Sequence, residues 1–341
     1  MSTTSGYDDS PTEASDKNST VELKKNDDEI IVITQSKVVA RRYELWHEKF
    51  LSYDEILDYL IKLQKMYDHK FSVERLGFSR EHRPICLVKV NSKAIKRSPM
   101  SIMVEAGANG REKMSVSSAL YLIDYLVKNE ITLLADYLII PCLNPDAYEK
   151  CHKTNRLLKG DQKYMDLTKC FPKHKATEHT QNGLNKLKNS AEGNPNCLLL
   201  TRALEKHAMS VKLFISLQAS EDSLTYPLDH YFKEVYEFAL AGKKSMDCKN
   251  LDVKPIVPNV SEENGTSVEH VIRNYHRFIK FAYIMNVHNK TFNPSEKFIL
   301  TKGDQILCGI LTLSKRVFRY HFKRRPGYVI NSVVKMLDNE K

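Results

Sequence analysis

No apolar run in this 341-residue chain approaches the roughly 20 residues that a helix needs to cross a bilayer; even YLIIPCL and CGILTL are short and interrupted. The opening MSTTSGYDDSPTEASDKNST lacks the basic start, apolar middle and small-residue cleavage site of a secretory signal, so export is not expected. Paired CxxC spacing is also missing. The seven cysteines are scattered and odd in number, and read as mostly reduced, buried thiols of a cytoplasmic protein. An odd count also permits two or three bridges in a secreted chain, where the sequons at Asn18, Asn259, Asn264 and Asn289 would matter. There is no G-x-x-x-x-G-K-[ST] phosphate loop, since GKK at 242–244 has no preceding glycine, which leaves nucleotide hydrolysis without support.

What is present is the composition of a globular domain: 42% hydrophobic and 28% charged residues can bury a substantial core. The net charge of +10 favours acidic partners without identifying one. Basic residues are densest in SKRVFRYHFKRRPGYVI; a solvated helix end accounts for them more simply than nucleic-acid binding, which is not expected. Residues 1–40 read as a disordered polar tail, 41–320 as one α/β domain and 321–341 as a basic C-terminal extension.

Within the domain, helical and strand periodicities alternate. SYDEILDYLIKLQKMY has apolar residues at helical spacing behind Ser52 as N-cap, and FSVERLG, ICLVKV and SIMVEAG read as strands. VSSALYLIDYLVKN is a helix and DYLIIPCLNP a central strand closed by Asn-Pro; residues from about 149 to 195 read as a long loop region. Then come CLLLTRALEKHAM (helix), VKLFISLQA (strand), DHYFKEVYEFALAGKK and TSVEHVIRNY (helices), FIKFAYIMNV (strand) and DQILCGILTLSKRVF (helix). This order predicts a mixed, mainly parallel twisted sheet with helices on both faces.

From Trp46 to about Phe318 the chain resembles the zinc metallocarboxypeptidases of the A/B type. The resemblance rests on SYDEILDYL, LGFSREHRPICLVKV, MVEAGANGREKMSVSSALYLIDYLV, LIIPCLNPDAYE, TNRLLK, MDLTKCF and FILTKGDQILCGILTL, in the family's order and spacing. It implies a carboxypeptidase-like domain, a zinc held by an H-x-x-E turn and a distant histidine, and release of C-terminal residues from peptides.

The same alignment implies that the chemistry has been lost. Asn109 stands where the first histidine belongs, Glu112 is kept, and Gln218 replaces the second histidine. The family's general-base glutamate aligns with Ile284, or with Met285 in the neighbouring register, and no Asp or Glu occurs from His270 to Ser295. The terminal-carboxylate clamp reads Thr168 and Lys169; Asn155 and Arg156 persist, and Lys159 takes the place of the oxyanion-stabilising arginine. Two neutral amides and one carboxylate are a poor nest for catalytic zinc, so no cofactor is expected. The leading expectation is a pseudopeptidase that binds an acidic peptide or protein; the rival is a residual metallocarboxypeptidase with an improvised zinc site.

Three local readings stay open beside this one. Arg111 and Glu112 form either a vestigial functional pair or a structural turn, and Arg156, Lys159 and Lys169 either a basic pocket or solvated charges. Cys170, His174 and His179 offer three candidate ligands within ten residues, but nothing completes a set of four.

Overall fold

Ser52 opens the first helix, α1 (Tyr53–Met66), with a capping box: its hydroxyl accepts the Glu55 N–H while the Glu55 carboxylate accepts the Ser52 N–H. Such a cap contributes about 1 kcal/mol, and burial of Ile56, Leu60 and Leu63 on one face supplies the larger share. The computed structural model describes residues 49–92, 100–129, 135–154, 166–172, 194–228, 232–257, 264–287 and 295–323. The polar tail at 1–40 lies outside them, as does the basic extension beyond residue 323.

After α1 come β1 (Phe71–Phe78), β2 (Pro84–Val90), β3 (Ser101–Ala106), α2 (Lys113–Lys128), β4 (Asp136–Ile140), α3 (Pro145–Thr154) and β5 (Phe171–Pro172). The second half holds α4 (Pro195–His207), β6 (Val211–Gln218), β7 (Asp222–Tyr226), α5 (Phe232–Met246), β8 (Asp252–Pro255), β9 (Asn264–Gly265), α6 (Ser267–Tyr275), β10 (Phe281–Val287) and α7 (Ile299–Lys323).

Eight strands form one sheet in the order β1-β2-β4-β3-β6-β10-β7-β8, and β5 pairs with β9 in a separate ribbon. The four pairings β4-β3, β3-β6, β6-β10 and β7-β8 are parallel, and the other three are antiparallel. The expected mixed, mainly parallel sheet is therefore present.

All six residues of β3 are buried because helices cover both faces of the sheet. Ile102 and Val104 point into a core shared with α1, α2, α5 and α7, while Met103 points into a second core with α4 and α6. Period-two alternation along a strand thus feeds two cores, and the sequence shows it only as a continuous apolar run.

Two parts of the expectation need correcting. The residues after 149 do not begin a loop: α3 runs to Thr154, because Asn144 accepts the Ala147 N–H at its start and Tyr148 and Cys151 supply a buried stripe. Strands β7 and β8 were not anticipated; DSLTY and DVKP are too short to show a period, and pairing with neighbours is what makes them strands.

Candidate functional site

Strands β3 and β6 run parallel with Glu105 opposite Ser216 and Ala106 opposite Leu217, so their C-terminal ends open on the same edge of the sheet. This is where an α/β sheet places a site. Gly107 leaves β3 at φ +65°, a conformation that side chains rarely adopt, and a Cβ there would lie 3.0 Å from the Cys142 Cα. The turn that follows closes with the Glu112 N–H donating to the Asn109 carbonyl at 3.0 Å, and α2 begins at the next residue. Gly110, in the middle of the turn, is pressed onto the backbone of α3: a Cβ would sit 2.3 Å from the Ala147 carbonyl carbon and 2.5 Å from the Tyr148 nitrogen.

Sequence-predicted positions 109, 112 and 218 are brought together here. The buried Glu112 carboxylate accepts the Ala219 N–H at 2.8 Å on Oε2 and the Asn109 Nδ2–H at 3.3 Å on Oε1. Asn109 Nδ2 also donates to Asp166 Oδ2 at 3.1 Å, while its Oδ1 accepts from the Arg111 backbone N–H at 3.1 Å and from Arg111 Nε at 3.4 Å. Arg111 Nη2 lies 4.0 Å from Asp166. Gln218, buried as well, turns its amide to Ser216 Oγ at 3.3 Å. Through these contacts Glu112 ties α2 to the end of β6.

Burial pushes the Glu112 carboxyl up to about 7; the Asp166 charge adds to this, and the Ala219 N–H, the Asn109 amide and Arg111 act in the opposite direction. A carboxyl raised in the folded state holds its proton more tightly there than in the unfolded chain. The Glu112 contribution to stability should therefore fall as pH rises from about 4.5 to about 7 and then level off, against an opposing rise from His270, whose imidazole burial holds down at about 4. The swing is on the order of 3 kcal/mol, at 1.36 kcal/mol per pKa unit. Denaturant titrations of wild type and Glu112→Gln across that window check it: the stability difference between the two should change with pH by about this amount, and a pH-independent difference would contradict the assignment.

Ile284 sits opposite Ser216 on the neighbouring strand β10, on the face that also carries Gln218 and Asn286, and it packs in the core with α4 and α6. Met285 points the other way, into the core with α2 and α7. Asn286 accepts from the Ser220 N–H and hydroxyl and donates to Ser223 Oγ, clasping the β6–β7 turn. The Thr168 N–H and hydroxyl both donate to Asp166 Oδ1, at 2.9 and 2.8 Å, which turns Thr168 back onto its own loop; Lys169 is exposed beside it. Asn155, Arg156 and Lys159 lie outside the described residues.

Tested against this donor set, zinc does not fit. Catalytic zinc takes three nitrogen, sulfur or carboxylate ligands and an open position. Here Asn109 and Gln218 offer neutral amides, the Asn109 oxygen already accepts from Arg111, and both oxygens of Glu112 already accept hydrogen bonds.

The expectation of mostly reduced cysteines holds for Cys86, Cys142, Cys151, Cys248 and Cys308, which are free, while Cys170 and Cys197, both buried, form a disulfide. The bridge also removes Cys170 from the tentative ligand trio, whose His174 and His179 lie outside the described residues. It weakens the expectation of a cytoplasmic location, which rested on mostly reduced thiols together with the lack of a secretory signal. With a sequence separation of 27 between the partners, no local spacing announced it.

Sequence reasoning also missed Asp166 as the acceptor for residue 109, and the fully buried Glu105, whose Oε1 accepts from the Ser267 hydroxyl and whose pKa is raised by burial. A carboxylate two residues before Gly107, inside an otherwise apolar strand, was the available signal for Glu105. No helix among the described residues is long and apolar enough to cross a membrane.

Comparison with known proteins places these features in context. A family model described as zinc carboxypeptidase matches residues 56–303. The chain is 19% identical over 218 residues to human carboxypeptidase B2, a match covering 58% of this chain and 51% of that protein. It is 24% identical over 147 residues to the inactive metallocarboxypeptidase ECM14 of Saccharomyces cerevisiae, covering 40% of this chain and 34% of that one. Matches to the carboxypeptidase B2 relatives thus span about half of their length. Among solved structures, carboxypeptidase A from Helicoverpa armigera superposes with a TM-score of 0.68 at 18% identity, covering 83% of this chain and 77% of that one. Bovine thrombin-activatable fibrinolysis inhibitor, in complex with tick carboxypeptidase inhibitor, gives 0.67 at 18% identity and covers 81% and 99%. At these identities the structural matches establish the fold.

Proposed function

Since the chain belongs to the zinc carboxypeptidase family, we propose that it is a catalytically silent member that works by binding, with an acidic peptide or protein lying over the former cleft. The observation that carries this reading is the engagement of Glu112, the one carboxylate kept from the zinc turn. Both of its oxygens are occupied by the Asn109 amide and the Ala219 N–H, and the two other ligand positions hold amides. Ile284, an apolar side chain in an apolar core, offers no proton acceptor at the base position. The similarity to ECM14 of Saccharomyces cerevisiae, an inactive metallocarboxypeptidase, supports this reading.

The acidic-partner part rests on the net charge of +10 and on exposed Lys169 at the former carboxylate clamp. A lysine attracts a carboxylate as a point charge and lacks the planar two-bond geometry of arginine. The buried disulfide favours an oxidising compartment as the place where the chain works.

Fluorescence anisotropy with a panel of acidic peptides is the test. Charge reversal by Lys169→Glu or Arg156→Glu should weaken binding roughly five- to thirtyfold, as expected for one or two partly screened charge contacts. Binding indifferent to both reversals rejects the pocket. Stoichiometric zinc in the purified protein, together with release of C-terminal residues from model peptides, would establish the rival metallocarboxypeptidase reading instead.

A further inference from the structure

Residues 166–172 form a wall beside the Asn109 turn, held by hydrogen bonds at its start, a short ladder at its end and buried side chains between. Asp166 accepts from Asn109, the Leu167 N–H donates to the Ala108 carbonyl at 3.1 Å, and β5 contributes a two-residue ladder with β9. Leu167 and Phe171 are buried, and the Phe171 ring lies 5.1 Å from that of His270 on α6. A ladder of two residues is marginal by itself. The covalent tie is the Cys170–Cys197 bridge, which joins this wall to the first turn of α4. That helix is itself well anchored, because Leu199 packs directly onto Gly77 of β1.

We propose that this disulfide is a redox-sensitive latch: it seats the wall against the Asn109 turn, and a dithiol reductant releases it. In the release, one thiolate of the reductant attacks a cystine sulfur and forms a mixed disulfide, freeing the other cysteine. The reductant's second thiolate then displaces the remaining cysteine. Two electrons and two protons pass to Cys170 and Cys197, and the reductant leaves as a cyclic disulfide. Both half-cystines are buried, so exchange proceeds through local opening of the wall. With the latch closed the wall is shaped without a metal; with it open, Asn109 loses the neighbour that orients its amide. The latch is independent of whether the chain hydrolyses anything.

Alkylation of the unfolded, unreduced protein should label five cysteines, and prior reduction should raise the number to seven, the total in the chain. Hydrogen–deuterium exchange of native protein with and without dithiothreitol then reads the latch. Reduction should speed exchange of the Leu167 amide by at least about tenfold while the amides of β3 keep their protection. The Cys170→Ser/Cys197→Ser variant should reproduce this; if it does not fold, reduced wild-type protein supplies the answer. Labelling of all seven cysteines without reduction, resistance of the native bridge to the dithiol, or an unchanged Leu167 amide after confirmed reduction each overturns the latch.

Discussion

Asn109→His combined with Gln218→His is expected to give a protein that retains about one equivalent of zinc through dialysis, with affinity raised more than about a thousandfold over the parent. Three features of the scaffold favour this outcome. Positions 109, 112 and 218 meet at the ends of β3 and β6, and Glu112 is already present as the carboxylate ligand. Asp166 accepts a hydrogen bond from residue 109 today and would orient an imidazole in the same way, the outer-shell support that metal-bound histidines use. Isothermal titration with zinc measures the gain, and each single variant should fall well short of the pair. Metal alone should not restore hydrolysis, because Ile284 offers no base; C-terminal residue release should need Ile284→Glu as well. A double variant that still lets zinc go would mean that more than ligand identity has been lost at this edge of the sheet.

Gly110→Ala is expected to destabilise the fold by about 3 kcal/mol or more, since the added methyl would meet the backbone of α3 at 2.3 to 2.5 Å and no side-chain rotation can relieve it. Either the zinc-turn backbone or α3 has to move. Gly242, inside α5, is the matched control: a Cβ there finds its nearest atom at 3.4 Å, the end of the Leu224 side chain. Gly242→Ala should be neutral or gain about 0.5–1 kcal/mol from helix propensity. Thermal denaturation of the two variants checks the contrast, and equal behaviour would show that the turn yields more easily than its contacts imply.

Much of the domain was legible in advance because its elements carry strong local signals. Ser52 with Glu55, the apolar stripe of α1 and the continuous run of β3 each announce one structure through short-range chemistry. β7, β8 and the end of α3 were not legible, being short and dependent on partners far along the chain.

At the site, sequence alone determined which chemical groups are available: amides at 109 and 218, a carboxylate at 112 and an alkyl group at 284. Residue identity is a local property, so the poverty of the donor set needed no coordinates. Tertiary structure decided what those groups do. It placed the Ala219 N–H on Glu112 across 107 positions of chain, Asp166 on Asn109 across 57, and joined Cys170 to Cys197. Such partnerships depend on how β3, β6 and the cleft wall are stacked in space, and no periodicity or spacing along the chain encodes that stacking.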